Sequence, residues 1–152
     1  MNSQRNNGSS LIETLVALIV LGAGLLVVLS MQVKSVSYLK DASLHSQASF
    51  LASDIYEGML TTPSAINAYF IKYADPAPAK PDCIQVSSDC KPIDMASWNV
   101  HNWRSNVASL LPGGRGEISS ESGQIVIRIE FETGSNVDGS RQTQEYTLIT
   151  DV

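Results

Sequence analysis

Clustered positive charge is what this sequence lacks most plainly. Ten Lys and Arg stand against fifteen Asp and Glu, for a formal net charge of −5 and a pI of about 4.8. No two basic residues are adjacent, and Arg104, Arg115, Arg128 and Arg141 are scattered. Binding to phosphate backbones draws on grouped Lys and Arg, so nucleic acid is not an expected partner. Histidine is equally scarce. His45 and His101 are the only two, each reads as a surface residue, and no H-E-x-x-H, G-x-S-x-G, Walker or Cys–His signature accompanies them. The acids show no calcium-loop spacing. Cys83 and Cys90 are too few, and wrongly spaced, for a zinc ribbon. These absences remove the usual sources of chemistry, and neither an enzymatic activity nor a cofactor is expected.

Two further absences are positional. No proline occurs before Pro63, and no charge between Glu13 and Lys34. The uncharged stretch from Thr14 to Val33 holds LVALIVLGAGLLVVL almost unbroken. Twenty helical residues cover about 30 Å, the thickness of a bilayer's hydrocarbon core, so the direct reading is a transmembrane helix. Gly22 and Gly24 are compatible with it, because glycine is common in membrane helices. The alternative is an ordinary secretory signal cut after Ser30, with a mature chain beginning near Met31. An acidic residue at the head of the apolar run, a thin basic leader and the run's passage into a further helical pattern weigh against it. An exported chain with two cysteines fits one disulfide, Cys83–Cys90. Closing so short a loop is worth roughly 2.5 kcal/mol. The other reading is a pair of free thiols in a cytosolic protein.

Glu13 is the anomaly, since an ionised carboxylate beside lipid is expensive and marks a functional site by default. A cut between Gly8 and Ser9 would create an α-amine four residues away, one helical turn, in the same chain or offered by a neighbour. Amine and carboxylate can neutralise each other where neither is well solvated. The polar leader MNSQRNNG, the G-S-S-L-I-E of residues 8–13 and the TLVALIVLGAGLL that follows resemble the class III signal of type IV prepilins and pseudopilins. That resemblance implies cleavage after Gly8 by a prepilin peptidase, N-methylation of Ser9, and a role in assembly and register for Glu13. Ser9 departs from the family, which most often has Phe there.

From Lys34 the pattern turns amphipathic. Leu44, Ala48, Leu51, Ile55 and Met59 recur every three or four residues, which is one face of an α-helix. Thr61-Thr62-Pro63 supplies a stop, so one helix is predicted from about Ser10 to about Leu60. Residues 61–93 read as loop, with Asn67 to Tyr73 either a short helix or a strand. A second helix is predicted over 94–111, with Asp94 as N-cap, a stripe of Ala96, Val100, Trp103, Val107 and Leu110, and Pro112-Gly113-Gly114 as its end. Trp98 lies off that stripe, which leaves burial in the domain, cover of a sheet edge or a partner as its uses. Residues 124–132 alternate, with Ile125, Ile127, Ile129 and Phe131 on one face, and form the clearest strand. Residues 143–150 form another, Arg115 to Ser119 a weaker one, and Gly134 to Ser140 a hairpin loop.

The expected fold class is α+β: a long N-terminal helix, its first half transmembrane, packed on a small antiparallel sheet with one extra helix. Residues 1–8 are then a leader, 9–33 the membrane half, 34–60 the amphipathic half, and 61–152 a globular head. VLGAGLLVVLSMQ, LASDIYEGM and WRSNVASLLPGG resemble the PilV group of minor pilins along nearly the whole chain. The resemblance implies a subunit held in the bacterial inner membrane with its head in the periplasm, then carried into a surface fibre. Its implied partners are major and minor pilins, the prepilin peptidase, the inner-membrane assembly platform and a large tip adhesin. Pilus priming, twitching motility and adhesion would be its work. A minor pseudopilin of a type II secretion system is the alternative.

Overall fold

The structure is a computed structural model that describes residues 9–81, 90–135 and 141–151. It has the α+β layout expected: a long N-terminal helix, one further helix and a three-stranded antiparallel sheet, the arrangement of a pilin. The chain divides into two compact units, Met1–Lys40 and Asp41–Val152.

Helix α1 spans Ser9–Thr61, within a residue of the predicted ends. Nothing in it interrupts the backbone ladder, and Pro63 lies just beyond. In the first unit its apolar side chains are exposed from Leu11 onward. In the second unit Leu44, Ala48, Leu51, Ile55 and Met59 are all buried, as their spacing predicts, and Ala52 joins them.

After α1 the chain makes a 3-10 helix, Pro63–Tyr69. Ile71 then forms an isolated antiparallel bridge with Ile118, with amide-to-carbonyl distances of 3.0 and 2.8 Å. The segment that reads as helix or strand is therefore each in turn. Tyr69 is fully buried and ties these pieces together. Its hydroxyl donates to the Gly58 carbonyl at 2.8 Å and accepts from Asn99 Nδ2 at 2.8 Å, with Thr62 Oγ1 2.6 Å away.

Helix α2 covers Pro92–Leu110 and starts earlier than the sequence suggests. Asp94 is not the N-cap. Pro92 occupies the first turn, where its fixed φ suits the helix and its missing N–H costs no bond. Asp94 sits three residues past the cap position of Lys91, and its carboxylate accepts from the Lys91 N–H at 3.3 Å. The buried stripe is Ala96, Val100, Trp103 and Val107, but Leu110 is exposed and Leu111 takes its expected place. The helix ends at Leu110, and Leu111 turns into an extended conformation that swings its side chain inward. Gly113 carries the chain onward at φ +61°, a left-handed value that glycine adopts without strain.

Strands β1 (Arg115–Glu121), β2 (Gln124–Ser135) and β3 (Arg141–Asp151) form a meander in that order. Ser122 and Gly123 join β1 to β2 with φ of 53° and 85°, the signs a two-residue type I′ turn requires. β2 extends past its predicted end through Gly134, which was expected in the hairpin loop. A register irregularity at Thr133/Ser135 absorbs the extra length. Residues 136–140 of that loop lie outside the described residues. Ile125, Ile127, Ile129 and Phe131 all point into the core. Val126, of opposite parity, is buried too; it stands between Ser119 of β1 and Ile149 of β3 on the outer face.

Trp103 is the largest side chain in the core. Its indole N–H donates to the Leu51 carbonyl of α1 at 2.9 Å. β1 passes so close beneath it that Gly116 has no room for a side chain: a Cβ there would lie 2.8 Å from Cζ3 of Trp103 and nearer still to Cη2.

Candidate functional site

Every residue from Leu11 to Leu21 in α1 is exposed, and so are those from Gly24 to Val33. An 18-residue window of this helix has a mean hydropathy of 2.6, and none of it is buried within the molecule. Length and composition make it the one helix among the described residues able to cross a membrane. A soluble protein's core helix of such character would be buried, and this one is not. The layout is compatible with a single-pass membrane protein. The hydroxyls within the stretch are turned onto the helix backbone: Thr14 Oγ1 donates to the Leu11 carbonyl at 3.0 Å and Ser30 Oγ to the Val27 carbonyl at 2.7 Å. A hydroxyl with that internal partner enters hydrocarbon at little cost.

Glu13 lies at the head of this stretch, exposed and inside regular helix. Helix α1 begins at Ser9, so Ser9 and Glu13 sit one turn apart on one face, about 5–6 Å between positions. Gly8 lies outside the described residues. Of the expected disulfide, Cys83 lies outside them as well; Cys90 is disulfide-bonded and half-buried. No group of three or more His, Cys, Asp or Glu side chains is placed to hold a metal ion among the described residues.

The four arginines of the head are all engaged. Arg115 pairs with Glu130 at 2.6 Å, Arg141 with Glu132, and Arg128 with Glu121 at 2.7 Å and Glu117 at 3.3 Å. Glu117, Arg128 and Glu130 project from the outer face of β1 and β2, where the strand register sets Glu117 directly across from Arg128. The Arg128 hydrogen bond holds the Glu121 carboxyl below its ordinary pKa and raises that of the guanidinium in turn. Tyr73 stacks under Arg115 at 5.7 Å and reaches Glu145 with its hydroxyl at 3.3 Å. Burial, then the Glu145 and Glu130 carboxylates, push its phenol well above the ordinary value of 10.0.

Arg104 does something that sequence reasoning missed. Its guanidinium meets four backbone carbonyls: Lys72 at 3.0 Å, Tyr73 at 3.4 Å, Asp75 at 2.9 Å and Gly116 at 3.1 Å. One side chain of α2 thus fastens the loop after Ile71 to strand β1. Nothing in the local pattern signals this, because carbonyl partners carry no residue identity.

Of the two histidines, one lies at the surface as expected and the other is half-buried. His45 is exposed, but its ring meets Phe131 edge-on at 5.1 Å, and Nε2 bonds to the Gln144 side chain. His101 is half-buried, with Nδ1 2.8 Å from the Pro78 carbonyl. Trp98 is half-buried beside α1.

No protein-family model, no curated protein and no solved structure matches the chain.

Proposed function

We propose that this chain is a minor pilin subunit of a type IV pilus, made as a precursor, cut after Gly8 by a prepilin peptidase and methylated at Ser9. The observation that carries the reading is Glu13: one carboxylate at the head of an exposed apolar helix, one turn from the residue where that helix begins.

The physical logic is a transfer between two solvents. Before assembly, the exposed side chains from Leu11 to Val33 are satisfied by lipid. In a fibre they are satisfied by the same stretch of neighbouring subunits. Glu13 penalises both environments unless a cation meets it. An α-amine created at Ser9 is that cation, and in a bundle the amine of one chain reaches the carboxylate of the next only at a defined axial offset. The pair therefore sets register as well as neutralising charge. The head, Asp41–Val152, stays in the periplasm during assembly and then lies on the fibre surface. Other pilins, the assembly platform and a tip adhesin are its partners, and pilus priming, twitching and attachment its use. Three of the head's four arginines pair with glutamates, which supports the reading that nucleic acid is not a partner.

Glu13→Ala tests the register role. The variant is expected to reach the membrane in normal amount and to be depleted from sheared pili. Wild-type levels in the fibre would refute it. Intact-mass analysis of the membrane form tests processing, since loss of residues 1–8 must depend on the prepilin peptidase. If deleting the gene abolishes secretion of exoenzymes and leaves pili intact, the chain is a pseudopilin instead.

A further inference from the structure

Within the second unit, α1 and α2 lie side by side with Gly58 against Asn99; a Cβ on Gly58 would stand 3.2 Å from Asn99 Nδ2. This close approach leaves a groove of about 540 Å³ between the two helices. Asp54 and Glu57 of α1 form one wall, and Trp98, Asn102 and Asn106 of α2 the other. Each set falls at three- or four-residue spacing, so each is one helical face. None of these side chains serves the core, and Trp98 is the aromatic that the α2 stripe leaves over. Its Nε1 is shut off from solvent and has no acceptor among the described residues.

We infer that this groove is a binding site for a neutral, hydroxyl-rich ligand of saccharide size. Volume is the first argument. Small-ligand sites run from about 300 to 1,000 Å³, so the groove suits one or two sugar rings. Charge is the second. Among the described residues no Lys, Arg or His lines it, and two carboxylates do, which disfavours phosphates, sulfates and carboxylates as ligands. Hydrogen-bonding capacity is the third. Carboxylates only accept, and carboxamides both donate and accept. A ligand that satisfies all of them must offer donors and acceptors on neighbouring atoms, which vicinal hydroxyls do. The planar forks of Asp54, Asn102 and Asn106 can each hold two adjacent hydroxyls. The half-exposed Trp98 ring offers the groove an apolar surface for ring C–H groups. An extended peptide is disfavoured, because both walls are helices whose backbone groups are already bonded internally. The site is remote in sequence from Glu13 and does not depend on the proposed pilin role.

The chain provides its own reporter, since Trp98 and Trp103 are its only two tryptophans and both line the groove. The full chain, in a detergent without a sugar headgroup, is titrated by tryptophan fluorescence with glucose, galactose, mannose, N-acetylglucosamine and their β-linked disaccharides. Spermidine and an oligolysine peptide form the cationic arm. The expected result is saturable quenching or shift with at least one saccharide, weakened about tenfold by Asn102→Ala, the loss of one to two hydrogen bonds. Asn102 makes no described side-chain hydrogen bond to the rest of the protein, and an unchanged circular dichroism melt verifies that the variant folds. The inference is overturned by the absence of any saturable change at concentrations on the order of 100 mM, where even a millimolar site is filled. It is also overturned by equal affinity in Asn102→Ala, or by a response confined to the cationic arm and lost in Glu57→Gln.

Discussion

Replacing Arg104 with Ala removes a guanidinium that meets four carbonyls, and the structure says which of these losses matter. The Lys72 and Asp75 carbonyls are exposed, so water replaces the donor and each bond costs a few tenths to about 1 kcal/mol. The Gly116 and Tyr73 carbonyls are partly buried. The Gly116 bond, at 3.1 Å, is the better formed, and Gly116 itself is buried; leaving that acceptor bare costs about 1–3 kcal/mol. The total is about 3 kcal/mol, a large fraction of a small domain's stability. Urea unfolding of the full chain in detergent, followed by tryptophan emission, measures it directly. A domain near 110 residues should lose roughly 10–15 °C of melting temperature for that penalty. Arg104→Lys separates charge from geometry. An ammonium reaches one or two carbonyls from a single point and cannot span four, so Lys should recover less than half of the loss. If Arg104→Ala costs under about 0.5 kcal/mol, the range of an ordinary surface change, or if Lys restores full stability, the clamp is not the structural device described.

Other perturbations give separate tests. Gly116→Ala places a methyl group against the indole of Trp103, and neither β1 nor the buried ring can retreat, so about 2–3 kcal/mol of destabilisation is expected in the same unfolding assay. Trp103→Phe removes the indole bond to the Leu51 carbonyl, which keeps its helical partner, and part of the ring's bulk; about 1–2 kcal/mol is expected, read by circular dichroism. The Tyr73 phenol has a raised pKa in the folded head, so its contribution is complete below the ordinary value of 10.0 and is lost as pH rises beyond it. Stability should therefore fall above pH 10 in the parent and fall less steeply in Tyr73→Phe. The Glu121 carboxyl has the opposite sign. Its folded pKa is depressed by Arg128, so its contribution is present above the ordinary Glu value and disappears as pH drops below it. Exposure of Glu121 keeps this effect small and sensitive to salt.

How far the fold was legible depended on whether a residue's role followed from its neighbours in sequence. The core stripe of α1 from Leu44 to Met59 and the inward face of β2 from Ile125 to Phe131 follow from periodicity alone, because burying one side of a regular element imposes the period of that element. The start of α2 was misplaced because Asp94 can serve as N-cap or third residue, and only Pro92 resolves the choice. The exchange of Leu110 for Leu111 turned on a single backbone conformation at a helix end, where periodicity no longer applies. Val126 shares the outward parity of Arg128 and Glu130, yet it is buried on the middle strand, between Ser119 and Ile149. The long charge-free run and Glu13 were visible at once, since a missing charge and an isolated one are both linear facts.

Sequence by itself determined the elements whose cause is local: a helix long and apolar enough to cross a bilayer, an amphipathic continuation, alternating strands and glycine-marked turns. Tertiary structure alone decided what depends on partners distant along the chain. It brought the Arg104 guanidinium to carbonyls on two separate segments, seated Tyr69 between Gly58 and Asn99, forbade a side chain at Gly116 and left Trp98 beside an open groove. The physical reason is that periodicity records which face of an element is buried, whereas backbone acceptors, close approaches and empty space between elements exist only once those faces have met.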